Sequence, residues 1–351
     1  MSGKSSQSGM NVRPIPTPTG AAILQVNDLR VHFPVPGRGG SRVHAVDGVS
    51  FVVRRGASFG IVGESGSGKS TTAQGIMRLV PATAGHVVLD GEDILGLRGA
   101  RLRQARRHIQ MVFQDPFASL DPRRCAGDLV AEPLRLLEGL SRKQAAARLD
   151  ALFAAVGLPP EAKSLFPHQF SGGQRQRLCI ARALATEPDI IVCDEAVSAL
   201  DVAIQAQILN LLARLQAERG LAYIFISHDL GVVQHLCDEV AVMYLGRIVE
   251  QAPTRTFFSA PRHPYSWSLI SAAVPAGPAR EALKARYLVR GEPPSPIDPP
   301  AGCRFAGRCP FAVERCRAED PALLATGQGH YVACHRVGEI EAPNFDQAQA
   351  A

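Results

Sequence analysis

Gly63-Glu64-Ser65-Gly66-Ser67-Gly68-Lys69-Ser70, set between the apolar run Phe59-Gly60-Ile61-Val62 and a helix-like stretch from Thr71, decides how the rest of the chain is read. Glycines let a backbone curl until successive N–H groups face one concavity, and a following helix adds the positive end of its dipole. The residues from Gly63 to Thr71 are therefore expected to cradle a nucleotide triphosphate. Lys69 would reach the β/γ-phosphates and the Ser70 hydroxyl would ligate Mg²⁺. An ordinary glycine-rich surface loop is the bland alternative, and the flanking strand and helix argue against it.

Upstream, Ala22 to Pro34 alternates apolar and polar positions through Ile23, Leu24, Val26, Leu29, Val31 and Phe33. Gly37-Arg38-Gly39-Gly40 interrupts the pattern and Val43 to Val53 resumes it, which predicts an antiparallel β-layer ahead of the loop. Residues 1–21, rich in Ser and Pro, read as a disordered leader. Downstream, Thr71 to Leu79 reads as helix, Val87 to Gly91 as a strand ending in a turn, and Ile109 to Phe113 as another strand. The signal is helical from Asp128 to Leu158, with Ser141 and Gln144 at capping-box spacing, so a helical insertion at about residues 115–185 is expected inside an α/β core. Ile190 to Cys193 is a continuous apolar run, typical of a parallel strand covered on both faces. A helix near Ala203 to Arg219 and strands at Tyr223 to Ile226 and Val240 to Tyr244 follow. Proline becomes frequent beyond Pro253, which places a boundary near residue 255, a second unit at 256–340 and a tail at 341–351.

The 351 residues, 46% hydrophobic and 20% charged, suffice for one large core and a smaller appendage. No apolar run nears the roughly 18 residues of a membrane span, and the leader lacks the apolar stretch of a signal peptide. A cytoplasmic location is therefore expected. The net charge of +6 suits an anionic ligand or membrane surface. The charges are dispersed, however, and one Trp with five Tyr is a poor stacking set, so no nucleic-acid partner is expected. Arg101, Arg103, Arg106 and Arg107 read as a solvated helix face, with contact to anionic lipid as the other reading.

Eight cysteines divide unevenly. Cys125, Cys179, Cys193 and Cys237 are scattered, as small buried hydrophobes are in a reducing compartment. Cys303, Cys309, Cys316 and Cys334 crowd one segment. Four thiolates together imply a soft-metal site, zinc or an iron–sulfur cluster, and the short knuckles of structural zinc are missing. His330 and His335, near Cys334, are substitute ligands or polar surface residues.

Cys193-Asp194-Glu195 closes an apolar strand, which places Asp194 to hold Mg²⁺ and Glu195 beside the γ-phosphate as a base or water-polariser. Phe170-Ser171-Gly172-Gly173-Gln174 lies upstream; Ser198-Ala199-Leu200-Asp201 and His228 lie downstream; Gln114 follows the strand at Ile109. In this order, with the phosphate loop, the motifs resemble the ATP-binding cassette (ABC) family over about residues 22–255. The resemblance implies a P-loop NTPase cassette: a RecA-like α/β core with an antiparallel β-layer, a helical subdomain and here a small Cys-rich extension. It implies ATP and Mg²⁺ as ligands, with Gln114 contacting the metal and sensing the helical insertion, Asp194 holding the metal, Glu195 activating water and His228 contacting the γ-phosphate. Ser171, Gly172, Gly173 and Gln174 would close in trans on ATP held by a partner cassette, and Asp201 would communicate across the dimer. An adenine-stacking aromatic is expected on the first strand, Phe33 first and His32 second. Ala196 stands where the family usually has proline and touches no chemistry.

Arg262-His263-Pro264-Tyr265-Ser266, Leu269-Ile270-Ser271-Ala272-Ala273-Val274-Pro275 and Gly291-Glu292-Pro293-Pro294-Ser295-Pro296 resemble the C-terminal extension of dipeptide/oligopeptide/nickel importer ATPases. The likeness reaches about residue 337, and Ser171 to Arg177 with Ala196 to Val202 look closer to the second of the two ATPase subunits such importers carry. This resemblance implies a peptide-type importer ATPase, peripheral on the cytoplasmic face of the inner membrane. Its implied partners are a paralogous ATPase subunit, two membrane permease subunits and, indirectly, an extracytoplasmic binding protein. It implies a [4Fe–4S] cluster on the four clustered cysteines, with zinc the alternative. Rival readings are a nickel or other small-solute importer and a non-transport cassette ATPase; the latter carries two cassettes or a coiled-coil insertion, and this chain shows neither. With one phosphate loop, a second nucleotide site requires a second chain.

Overall fold

A computed structural model describes residues 20–37, 39–198, 200–273, 287, 289, 291–327, 329–343 and 345. Most of the leader, residues 1–19, lies outside them, as do Ala199, Val274, Pro275 and most of the tail. The strands are β1 (Ala22–Pro34), β2 (Arg42–Arg54), β3 (Ser58–Val62), β4 (Ala84–Leu89), β5 (Glu92–Asp93) and β6 (Ile109–Val112). They continue as β7 (Ile190–Asp194), β8 (Ala222–Ser227), β9 (Glu239–Tyr244), β10 (Arg247–Pro253), β11 (Leu324–Gly327) and β12 (His330–Val332). The α-helices are α1 (Lys69–Ile76), α2 (Gly99–His108), α3 (Ala126–Leu137), α4 (Arg142–Ala155) and α5 (Gly172–Leu184). After them come α6 (Val202–Arg219), α7 (Leu230–Leu236), α8 (Thr254–Ser259), α9 (Pro264–Ala273) and α10 (Glu314–Ala318).

Two sheets organise these elements. β2-β1-β4-β5 is the antiparallel layer read from the alternation around Phe33. The second sheet has the order β11-β12-β10-β9-β3-β8-β7-β6, parallel from β9 through β6 and antiparallel beyond β9. Every residue of β3, β7 and β8 is buried, because both faces of these strands are covered. One face meets the antiparallel layer and α1, with Phe51 stacked on Phe59 at 4.5 Å. The other meets α3 to α9. The insertion read as one helical signal is two helices, α3 and α4, and the Ser141–Gln144 capping box opens the second with both reciprocal bonds made. In α2 only Ala105 is buried; Arg101 and Arg103 are exposed as expected, Arg101 pairing with Glu92, whereas Arg106 and Arg107 are half-buried, Arg106 donating to the Arg78 carbonyl and Arg107 facing Glu138.

The composition shift near residue 255 coincides with the end of β10, yet the segment beyond is not a separate body. β12 pairs with β10 through Glu250↔Val332 and Gln251↔Tyr331, extending the main sheet. Trp267, Phe305 and Phe345 join the same apolar cluster as Val62 and Leu212. Without β12, β10 would be an open edge, and an unpaired strand edge is satisfied by another strand.

Candidate functional site

Parallel strands of this sheet end on one side, and the crevice at their carboxyl ends is where such folds bind ligands. The phosphate loop follows β3, Asp194 and Glu195 end β7, His228 follows β8, and Gln114 follows β6. A cleft of 460 Å³ is lined by Ser65, Gly66, Gly68, Lys69, Ser70, Thr71, Gln114, Glu195 and His228, along with Val43, Ala45 and Pro296. Gly68 has φ +103°, and a Cβ there would lie 2.1 Å from the Ala45 carbonyl oxygen, so only glycine fits. Gly63 and Ser67 form the buried floor of the turn.

Lys69 is buried, and its Nζ donates to the Gly63 and Glu64 carbonyls at 2.9 and 2.8 Å. Burial pushes its pKa down, against the carboxylates of Glu195, Asp194 and Glu64. Ser70 donates its Oγ proton to Asp194 Oδ1 at 2.8 Å. Two neighbouring oxygens around an octahedral cation with bonds of 2.0–2.1 Å stand about 2.9 Å apart, so this pair fits Mg²⁺. Asp194 is pushed up by burial, the Ser70 hydrogen bond opposing. Glu195 adopts φ 46°, an uncommon backbone for a non-glycine residue and one that clusters at functional sites. Its carboxylate takes Gln114 Nε2 at 2.8 Å on one oxygen and faces His228 Nδ1 at 3.3 Å on the other. The cleft thus holds a buried ammonium, a hydroxyl–carboxylate pair suited to a divalent cation, and a braced carboxylate able to accept a proton from water.

Ser171 caps α5, accepting from Gln174 N, while the Gln174 side chain accepts from Ser171 N. Ser171, Gly172 and Gln174 are exposed and none lines the cleft. Gly173 is buried, packed so closely on Ile204 that a Cβ there would come within 2.7 Å of its side chain. Asp201 is exposed at the start of α6. Phe33 is not among the residues that line this cavity. It is the register partner of the lining residue Val43 on the adjacent strand and rests on the apolar cluster of the β-layer. His32 is also absent from the lining; its Nε2 meets Asp47 Oδ1 at 2.9 Å.

Residues of the extension complete the cleft, and sequence reading gave them no role there. His44 N donates to the Pro296 carbonyl at 2.9 Å and Val43 bridges Ile297, which sets Pro296 in the wall. Glu64 N donates to the Tyr265 hydroxyl at 2.8 Å, and Arg308 forks onto the Glu64 carboxylate at 2.8 and 3.2 Å. The Arg262-to-Ser266 and Gly291-to-Pro296 stretches marked the region without a role at the cleft; nothing in local spacing marked Arg308.

Cys303, Cys309, Cys316 and Cys334 line one small apolar cavity with Phe305, Phe311 and His335, and all four are free thiols. Burial pushes Cys303 up to about 11 and Cys309 up to about 12, with the other thiols adding to it. Backbone N–H groups two residues on oppose it, Phe305 for Cys303, Phe311 for Cys309 and Arg336 for Cys334. Such donors favour thiolates, the form that binds metals. His330, read as a ligand or a surface residue, is neither: it is buried, with Nε2 2.7 Å from Glu250. The scattered cysteines Cys179, Cys193 and Cys237 are core residues. Among the described residues, only His32, His44 and Asp47 place three ligand-type atoms within 4.8 Å of one another. Arg30, Arg247 and Arg304 all lie within 4 Å of Asp47, so that cluster has no charge deficit for a cation to fill.

The profile described as "ABC transporter" matches residues 46–198, and the "Oligopeptide/dipeptide transporter, C-terminal region" profile matches 249–316. A probable peptide ABC transporter ATP-binding protein of Sinorhizobium fredii is 52% identical over 90% of this chain and 90% of its own. The chain belongs to the ABC transporter ATPases. The oligopeptide transport ATP-binding protein OppF of Escherichia coli is 47% identical to this ABC ATPase over 91% of the chain and 97% of OppF; AppF of Bacillus subtilis is 45% identical over 89% and 97%. Among solved structures, CbiO1 of Clostridium perfringens, part of an ABC transporter complex, has a TM-score of 0.59 at 28% identity, covering 68% of this chain and 91% of that one. The cassette MJ0796, solved as a dimer bound to ADP and Pi, has a TM-score of 0.59 at 27% identity over 66% and 99%. ATP and Mg²⁺ are the ligands this family membership implies for the cleft. No helix among the described residues is long and apolar enough to cross a membrane.

Proposed function

We propose that this ATPase powers a peptide importer as one of two cassettes that close head to tail, each holding ATP on its own phosphate loop and sealing its partner's. The observation that carries the reading is the exposed capping box at Ser171, built at a helix N-terminus suited to phosphate yet absent from its own cleft. Lys69 and the loop amides bind the phosphates, Ser70, Gln114 and Asp194 hold Mg²⁺, Glu195 takes the proton of the attacking water, and His228 orients it. ATP favours the closed pair because only there do both sets of donors meet it. The partner is a paralogous subunit, and the pair sits against two permease subunits at the cytoplasmic face of the membrane. Phe117, Leu136 and Phe166, exposed in the helical layer, suit such docking. Peptide cargo is supported by the names of the relatives.

The four clustered cysteines fit a metal–sulfur group. A single tetrahedral zinc with bonds of 2.3 Å needs thiolates about 3.8 Å apart, and no three of these sulfurs lie within 4.8 Å of one another. On the likeness to the importer extension we infer a [4Fe–4S] cluster there, which would supply a redox-active cross-link between residues 303 and 334.

Co-expression with candidate permease and ATPase subunits of the same cell, followed by copurification and peptide-uptake assays, tests the reading. Ser171→Arg is expected to leave ATP bound but abolish hydrolysis and uptake; undiminished hydrolysis by a lone Ser171→Arg chain refutes the head-to-tail arrangement.

A further inference from the structure

Glu64, the second residue of the phosphate loop, is tied at every polar atom. Its carbonyl accepts Lys69 Nζ at 2.8 Å and Ser67 N at 3.2 Å. Its N–H donates to the hydroxyl of fully buried Tyr265, and its carboxylate is forked by Arg308. Two of these three ties come from the extension, the Arg308 tie from 244 residues away in sequence.

Arg308 is itself held by its neighbours. Its guanidinium lies 5.8 Å from the Tyr244 ring centre and donates to the Tyr244 hydroxyl at 3.4 Å, while its backbone N–H donates to the Phe305 carbonyl at 2.9 Å. Phe305, 1% exposed, contacts Tyr244, Tyr265 and His263 edge-on or tilted at 5.2–5.6 Å. A forked guanidinium–carboxylate pair fixes direction as well as charge. Released, the Glu64 carboxylate would face a ligand carrying several negative charges, and the first turn of the loop would lose its outer support.

We propose that Arg308 and Tyr265 are positioning residues of the ATP site: the extension holds the phosphate loop open in its binding shape and neutralises Glu64 against the nucleotide phosphates. The cassette is thus finished from outside its own motif set, and nucleotide affinity depends on a segment that contributes no phosphate contact of its own.

The test is equilibrium titration of the full chain with a fluorescent ATP analogue, paired with steady-state hydrolysis, for Arg308→Met, Glu64→Gln and the double variant. Arg308→Met is expected to raise Kd and KM roughly tenfold with a smaller change in kcat, and to change Kd less than about twofold in the Glu64→Gln background. Equal weakening in both backgrounds would mean that Arg308 serves only the fold, and an unchanged Kd would remove its role; either overturns the proposal. Should Arg308→Met fail to fold, Arg308→Lys and Tyr265→Phe carry the test. Each is expected to raise Kd about threefold, the net worth of one hydrogen bond, and an unaltered Kd in both overturns it.

Discussion

Gln114 donates its Nε2 proton to Glu195 Oε2 at 2.8 Å, so the residue at the entrance to the helical layer touches the carboxylate assigned to water activation. With His228 Nδ1 3.3 Å from the other oxygen, the base is braced on both sides. Movement of the helical layer can therefore be felt at Glu195 through one side chain.

If Glu195 accepts the proton of the attacking water, Glu195→Gln keeps the shape and the Gln114 contact but loses the base. Single-turnover hydrolysis is expected to fall at least about a hundredfold, the low end of what a general base supplies, while ATP affinity stays and the paired cassettes accumulate. Normal turnover by this variant would contradict the assignment.

Lys69 bears a buried charge whose pKa is depressed by burial, so in the ligand-free protein it is a liability. Lys69→Ala is expected to leave the ligand-free melting temperature unchanged or raise it. It should weaken ATP binding roughly thirtyfold or more, since truncating one partner of a close charge pair costs about 2 kcal/mol at least. Calorimetric titration and thermal melts with and without ATP measure both effects.

These two residues were legible because their roles are local. A glycine turn after an apolar strand, and carboxylates closing another, announce themselves within a few residues, and parallel pairing then brings both strand ends to one edge. Phe33 illustrates the limit: strand alternation put it on β1, but which face it served depended on bulged pairing with β2, where the register shifts between Val31 and His32. Tyr265, Pro296 and Arg308 were invisible as site residues because β12 adding to β10 and the aromatic wedge at Phe305 bring them there, both long-range events.

The thiol cavity makes a chemical prediction. If the four thiols hold the proposed cluster, Cys309→Ser is expected to remove its visible absorbance and most protein-bound iron. It should also raise the Kd for ATP in the direction of Arg308→Met, since Arg308 and Cys309 both donate their backbone N–H to Phe305. Iron analysis and the nucleotide titration check the two halves. Stoichiometric zinc without iron would refute the cluster.

Asp47 predicts an acid limb. Burial raises its pKa, but the Arg304 guanidinium and hydrogen bonds from His32 and His44 outweigh it and hold the carboxyl well below the usual 3.8. Arg30 and Arg247 face the same group. A depressed carboxylate contributes stability that is fully present above its unfolded pKa and is lost as pH falls through the folded value. Melting temperatures from pH 5 to pH 3 should therefore fall less steeply for Asp47→Asn than for the parent, although the variant starts lower because Arg304 loses its partner. Parallel slopes would rule out Asp47 as a source of the limb.

Because β12 seals the edge at β10 and the Arg308 fork arrives only after some three hundred residues, the ribosome makes every ATP-site motif of this enzyme long before the enzyme can be finished. A nascent chain halted after β9 would carry the full set of ATP-site signatures around an unsupported pocket. Frameshifts and early stops near the 3′ end of the gene should then silence nucleotide capture itself, leaving a product that looks complete to any reader of its first two-thirds.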